Sequence, residues 1–104
     1  WFNMAKTAQT SLMKNLSLNR DLARDGITFN SVAPGAILIP DTGWELEKEQ
    51  NPGQFEKMID ENFPMGRLGT PEEVASVVVF VCSEGASLLT GAAIPVDGGE
   101  SKSF

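Results

Sequence analysis

Ile27-Thr28-Phe29-Asn30-Ser31-Val32-Ala33-Pro34-Gly35 is the stretch that decides the fold. From Ile27 to Ala33 it carries β-branched and aromatic residues in a short apolar run, as in a strand buried within a sheet, and Pro34-Gly35 ends it. Upstream, Met4, Ala5, Ala8, Leu12, Leu16 and Ala23 recur at three- and four-residue intervals, with Lys6, Lys14, Asn15, Arg20 and Arg24 between them. That period predicts one long helix over about residues 2 to 25, closed by Gly26 as C-cap. A helix passing into a buried strand through one glycine is an α/β step.

Downstream, Ala36 to Trp44 breaks the pattern with Ile37-Leu38-Ile39, Pro40 and Asp41-Thr42-Gly43, and reads as an apolar loop that covers something. Asn51-Pro52 starts a helix, with Asn as N-cap and Pro at the first helical position. Phe55, Met58, Ile59 and Phe63 mark one face of it before Pro64 stops it. Between Asp41 and Phe63 stand seven acids and two Lys, the outline of an acidic amphipathic lid or of a surface helical hairpin; periodicity leaves both open. Thr70-Pro71-Glu72-Glu73 is a capping box that fixes the next helix start, over about residues 71 to 83. Val74, Val77, Val78, Val81 and Cys82 form its apolar face, and Ala75, Val79 and Phe80 extend that face most of the way round. Such a helix is expected to be buried on two sides, one of them the sheet. Ala92 to Val96 reads as a short strand, placed at a sheet edge by Pro95, and Asp97-Gly98-Gly99 closes it.

Composition bounds the chemistry. With 104 residues, a hydrophobic fraction of 41% and a charged fraction of 21%, the chain is expected to be one globular domain, residues 1–104. Eight Lys+Arg against 14 Asp+Glu give a net charge of −6, which argues against nucleic acid and anionic membrane surfaces as partners. The apolar stretch Val74 to Cys82 is too short to span a bilayer, and no basic-then-apolar signal opens the chain; a soluble, cytoplasmic protein is expected. There is no His, no Tyr and one Cys, so Ser-His-Asp triads, Cys-His pairs and His or Cys metal clusters are excluded. Cys82 reads as a small hydrophobe. The chain opens on Trp1, with no initiator Met and no capping residue before the helix, and so reads as cut.

The order of helix, strand, Pro-Gly, apolar segment, capped helix and Asp-Gly-Gly strand resembles the C-terminal half of the short-chain dehydrogenase/reductase family. Three signatures carry the likeness over essentially the whole chain: Asn3-Met4-Ala5-Lys6, Asn30-Ser31-Val32-Ala33-Pro34-Gly35, and Gly66-Arg67-Leu68-Gly69-Thr70-Pro71-Glu72-Glu73 leading to Val96-Asp97-Gly98-Gly99. The resemblance implies the C-terminal part of a Rossmann-like doubly wound parallel sheet, here three helices and two strands, without the N-terminal cofactor half and its Gly-rich turn.

The resemblance also implies site residues. The family motif Tyr-x-x-x-Lys puts its lysine on Lys6 and its tyrosine on Phe2, which keeps the ring and lacks the hydroxyl. In the family, the Lys lowers the Tyr pKa and hydrogen-bonds the nicotinamide ribose, while the Tyr exchanges a proton with the substrate oxygen. Pro34 and Gly35 would border the nicotinamide of NAD or NADP, and the backbone of Ile37 would bond its carboxamide. The segment 36–63 would be a substrate lid, with Ile39, Trp44, Phe55, Met58 and Phe63 as candidate contacts to a small alcohol or ketone; the acid excess there disfavours an acidic carrier protein. Family members are commonly homotetramers. Two functions follow as expectations: a fragment of an NAD(P)-dependent oxidoreductase that is inactive alone, or a pseudo-enzyme or oligomerisation module that uses its apolar helices to bind homologous subunits.

Overall fold

The computed structural model describes residues 2–101; Trp1 and the Phe2 side chain, on which two of the expectations rest, lie outside what it describes. Among the described residues five α-helices and two strands follow one another: α1 (Phe2–Ser17), α2 (Arg20–Arg24), β1 (Ser31–Pro34), α3 (Gly43–Gln50), α4 (Pro52–Asn62), α5 (Pro71–Val81) and β2 (Ala93–Val96), with one turn of 3-10 helix, Glu84–Ala86, before β2. They divide into two compact units, residues 2–32 with 78–94 and residues 33–77 with 95–101.

In the first unit the single long helix of the sequence reading is two helices. Ser17 turns its hydroxyl back onto the Lys14 carbonyl at 2.6 Å, and Asn19, in an extended conformation, accepts from the Leu22 amide at 3.1 Å and so starts α2. Short polar side chains that bond nearby backbone end a helix even where the apolar period runs on. Gly26 caps α2 as expected: at φ +80 it lets its own amide reach the Ala23 carbonyl and the Ile27 amide reach Leu22, the paired bonds of a Schellman ending.

The predicted strand over 27–33 is confined to Ser31–Pro34, because side chains hold the residues before it. Phe29 donates to the Thr90 hydroxyl, and Asn30 bonds both the Leu89 carbonyl and the Ala92 amide. From there the backbone ladder takes over. Ser31 N–H donates to Ala92 O (2.8 Å) and Gly35 N–H to Val96 O (3.1 Å), four residues further along each chain, so β1 and β2 run parallel. In a two-stranded sheet both strands are edges, and Pro95 is accommodated as expected.

The second unit holds the hydrophobic core. Phe55, Ile59, Phe63 and Leu68 are buried together, with Ala36, Leu38, Trp44 and Met58 packed against them. The apolar loop predicted over 36–44 is a helix start from Gly43 onward. Thr42 precedes α3 without a side-chain cap, and Trp44 supplies its apolar anchor. α3 and α4 pack as a helical pair. Asn51 stands at the N-cap of α4, yet its side chain makes no cap bond; it joins two helices, its amide reaching back to Glu47 and its carbonyl accepting from Phe55.

The start of α5 is as the sequence dictates. Glu73 N–H donates to the Thr70 hydroxyl (3.3 Å) while the Glu73 carboxylate accepts from Thr70 N–H (3.0 Å). Arg67 grips the same carboxylate through two nitrogens at 2.8 Å. Arg67 first, then the Thr70 amide, lowers the Glu73 pKa from 4.5 to about 2. A carboxylate with a depressed folded-state pKa stabilises above its unfolded value and loses that contribution as pH falls through the folded one. The difference in thermal midpoint between the protein and Glu73→Gln, which keeps an acceptor and drops the charge, is therefore expected to be constant at neutral pH and to close between pH 4.5 and 2. A gap that persists unchanged at pH 2 would assign the effect to the neutral capping bonds.

The rest of α5 departs from expectation. No residue of it is buried, and Val78, Val79 and Phe80 are 42, 69 and 53% exposed. A helix this apolar needs cover on most of its surface, and the described residues do not supply it. Among the described residues no helix is long and apolar enough to cross a membrane.

Candidate functional site

The second unit carries Pro34, Gly35 and Ile37 on one continuous turn. β1 ends at Pro34, which is exposed, and Gly35 N–H closes the ladder onto Val96. Gly35 is glycine for steric reasons: a Cβ there would stand 2.7 Å from Asp97 Cβ and 2.9 Å from Asp97 Cα. The chain then forms a single parallel bridge between Ile37 and Gly69. Gly69 N–H donates to Ala36 O at 3.0 Å, and Leu38 N–H donates to Gly69 O at 2.9 Å. In a parallel bridge the flanking residues make the bonds, so the N–H and C=O of the central residue face the other way. Neither the Ile37 amide nor its carbonyl has a hydrogen-bond partner among the described residues. One donor and one acceptor thus lie side by side on a segment clamped at both flanks.

Lys6 lies in the first unit, on α1, where its carbonyl accepts from the Thr10 hydroxyl. The five lid candidates fall into two groups. Phe55 and Phe63 are core residues, 8 and 6% exposed, whose rings pack the unit together and also reach open grooves beside Trp44 and Met58. Ile39 is exposed, and Trp44 and Met58, half-buried, line an open groove with Gly43, Glu47 and Gln54 between α3 and α4. The same apolar face serves a lid and a core equally well, so period alone does not separate the two roles for Phe55 and Phe63. The reading by period missed Gly69, whose bridge to Ile37 joins segments 32 residues apart. No group of three His, Cys, Asp or Glu residues able to hold a metal ion occurs among the described residues.

A parallel strand pair, a Pro-Gly turn at the strand end with an open peptide beyond it, and a box-capped helix make this an α/β segment. Comparison with known proteins makes the class specific. The family model described as enoyl-(acyl carrier protein) reductase matches residues 1–101, and the chain belongs to the short-chain dehydrogenase/reductase family. It is 42% identical over 98 residues to the uncharacterized oxidoreductase YmfI of Bacillus subtilis, covering 94% of this chain and 37% of that one. To dehydrogenase/reductase SDR family member 4 of Bos taurus it is 40% identical, covering 94% and 33%. Among solved structures, YwfH, an NADPH-dependent reductase of bacilysin biosynthesis, superposes with TM-score 0.80 at 36% identity, over 97% of this chain and 39% of that one. L-sorbose reductase from Gluconobacter frateurii, complexed with NADPH and L-sorbose, gives TM-score 0.77 at 36% identity, over 99% and 41%. The chain therefore spans about two-fifths or less of the length of these relatives.

Proposed function

We propose that this chain is the C-terminal part of an NAD(P)-dependent oxidoreductase that interconverts an alcohol and a ketone or aldehyde, and that by itself it is inactive. The observation that carries the reading is the Ile37 peptide, whose N–H and C=O are both uncommitted among the described residues. A nicotinamide carboxamide needs one acceptor and one donor at that spacing, and backbone supplies them whatever the side chain. The cofactor contributes hydride transfer. This chain's own residues contribute position: Ile37 holds the carboxamide, Pro34 and Gly35 border the ring, and Lys6 holds the ribose. Phe2, one helical turn before Lys6, takes the place of the family's proton donor. Residues 36–63 serve as the substrate lid, with Ile39, Trp44, Phe55, Met58 and Phe63 as contacts to a small alcohol or ketone. The NADPH named for two structural neighbours supports a dinucleotide, NAD or NADP.

A second reading has one observation in its favour. The exposure of Val78, Val79 and Phe80 suits a module that assembles with homologous subunits, a homotetramer in the family's manner, without catalysis. Titration of NADPH and of NAD⁺ into the protein at its native length, with the Ile37 amide followed by NMR, separates the two. Saturable binding that shifts Ile37 supports the oxidoreductase reading. Absence of binding in a protein whose intact mass is the 11.2 kDa of this chain supports assembly alone.

A further inference from the structure

Of the three peptide units around Ile37, two are clamped by Gly69, and a third contact fixes the turn from the far end of the chain. The Ala36 amide donates to Glu100 Oε2 at 3.0 Å. Glu100 reaches that point because the tail after β2 folds around Asp97, whose two carboxylate oxygens accept from Gly99 N–H (3.0 Å) and Ser101 N–H (3.1 Å), while its carbonyl accepts from Glu100 N–H (3.1 Å). Gly98 and Gly99, at φ +61 and +88, allow the reversal. The Glu100 carboxylate comes so near that a Cβ on Gly35 would lie 2.7 Å from Oε2. Ala36 is thus held at its N–H by Glu100 and at its C=O by Gly69, which leaves the Ile37 peptide a single orientation.

We infer that Glu100 is a positioning residue: its carboxylate, through the Ala36 amide, aims the open Ile37 peptide. The inference rests on the carboxamide reading above for its consequence in binding, and on the clamp itself for its geometry. Glu100 acts here through the Ala36 amide that it accepts from. A bond from an amide to a carboxylate is stronger than one to a neutral oxygen, so the charge matters as well as the acceptor.

The test compares the protein at its native length with Glu100→Ala and Glu100→Gln, by amide hydrogen exchange at Ala36 and by NADPH and NAD⁺ titration. Glu100→Ala is expected to speed Ala36 exchange by on the order of tenfold and to weaken dinucleotide binding by a similar factor, with Glu100→Gln between it and the parent in both. Exchange at Leu38 and Gly69, on the other side of the bridge, is expected to stay within about twofold, which separates loss of the clamp from loss of the fold. Unchanged Ala36 exchange overturns the inference, whatever the protein binds. Faster exchange with unaltered dinucleotide affinity overturns the positioning role and leaves the carboxamide reading standing. A parent protein that binds neither dinucleotide overturns the carboxamide reading, and the positioning role with it.

Discussion

Phe2→Tyr, introduced into the protein at its native length, is expected to raise carbonyl reduction by on the order of 10²- to 10⁴-fold. Hydride arriving at a carbonyl carbon leaves negative charge on the oxygen, and a proton must reach that oxygen as the charge develops. The residues of this chain offer no imidazole and no phenol for the task, since it has neither His nor Tyr. A phenol at position 2 would stand one turn from Lys6, whose ammonium favours the phenolate and so brings a group of ordinary pKa about 10 toward working pH. Phe2 keeps the ring of that group, so the substitution adds one oxygen and little volume. The expected signature is a rise in kcat at nearly unchanged KM, with a new pH dependence set by the phenol. If Phe2→Tyr binds NADPH as the parent does and its turnover stays at the parent level, the hydroxyl is not the missing element, and the assembly reading gains.

The parts of the molecule that a sequence shows are those whose cause is local. Thr70 and Glu73 are three residues apart, so the capping box that starts α5 is complete in one turn of chain and is found as read. Gly26 ends α2 for an equally local reason, a positive φ two residues past the helix. The break at Ser17–Asn19 is local too, but it runs against the apolar period from Met4 to Ala23, and a period masks a cap that falls inside it. α3 escapes notice for the opposite reason. Half of its segment Gly43–Gln50 is charged, and the apolar contact that anchors it is Trp44 against a core built by α4. β1 begins late because Asn30 spends its side chain on Leu89 and Ala92, 59 and 62 residues away, which no window on the sequence reports. The site divides along the same line. Pro34, Gly35 and Ile37 are contiguous and carry a family signature. Glu100 lies 64 residues from the amide that it holds, and Asp97-Gly98-Gly99 reads from sequence as a strand ending and not as the loop that delivers it. On α5, the same locality makes the apolar surface legible, and Val78, Val79 and Phe80 stand exposed on it.

Phe63→Ala is expected to cost about 3–5 kcal/mol, the range for removing a buried aromatic ring. Phe63 is the most enclosed member of the second unit's core, at 6% exposure, and it follows directly on α4, where its amide donates to Ile59. Its ring, with Phe55, Ile59 and Leu68, is what α3, α4 and the Leu68 segment have in common. With four buried apolar residues in the unit, no neighbour can move in to fill the space without uncovering its own surface. For a unit of this size a loss of that magnitude corresponds to a fall in thermal midpoint of more than about 10 °C. Trp44 reports the event directly, since it packs on the cluster; in a Trp1→Phe background it is the one remaining tryptophan, and its emission follows the unit's unfolding. The same variant separates the two possible employments of this apolar face. A ring that serves a substrate raises KM when removed and leaves the unfolding midpoint where it was. A ring that serves the core lowers the midpoint first, and Met58→Ala, half-buried at the groove, then gives the converse: a midpoint within a few degrees of the parent and the larger change in substrate affinity. Equal midpoints for Phe63→Ala and the parent would leave the lid as the role of that ring.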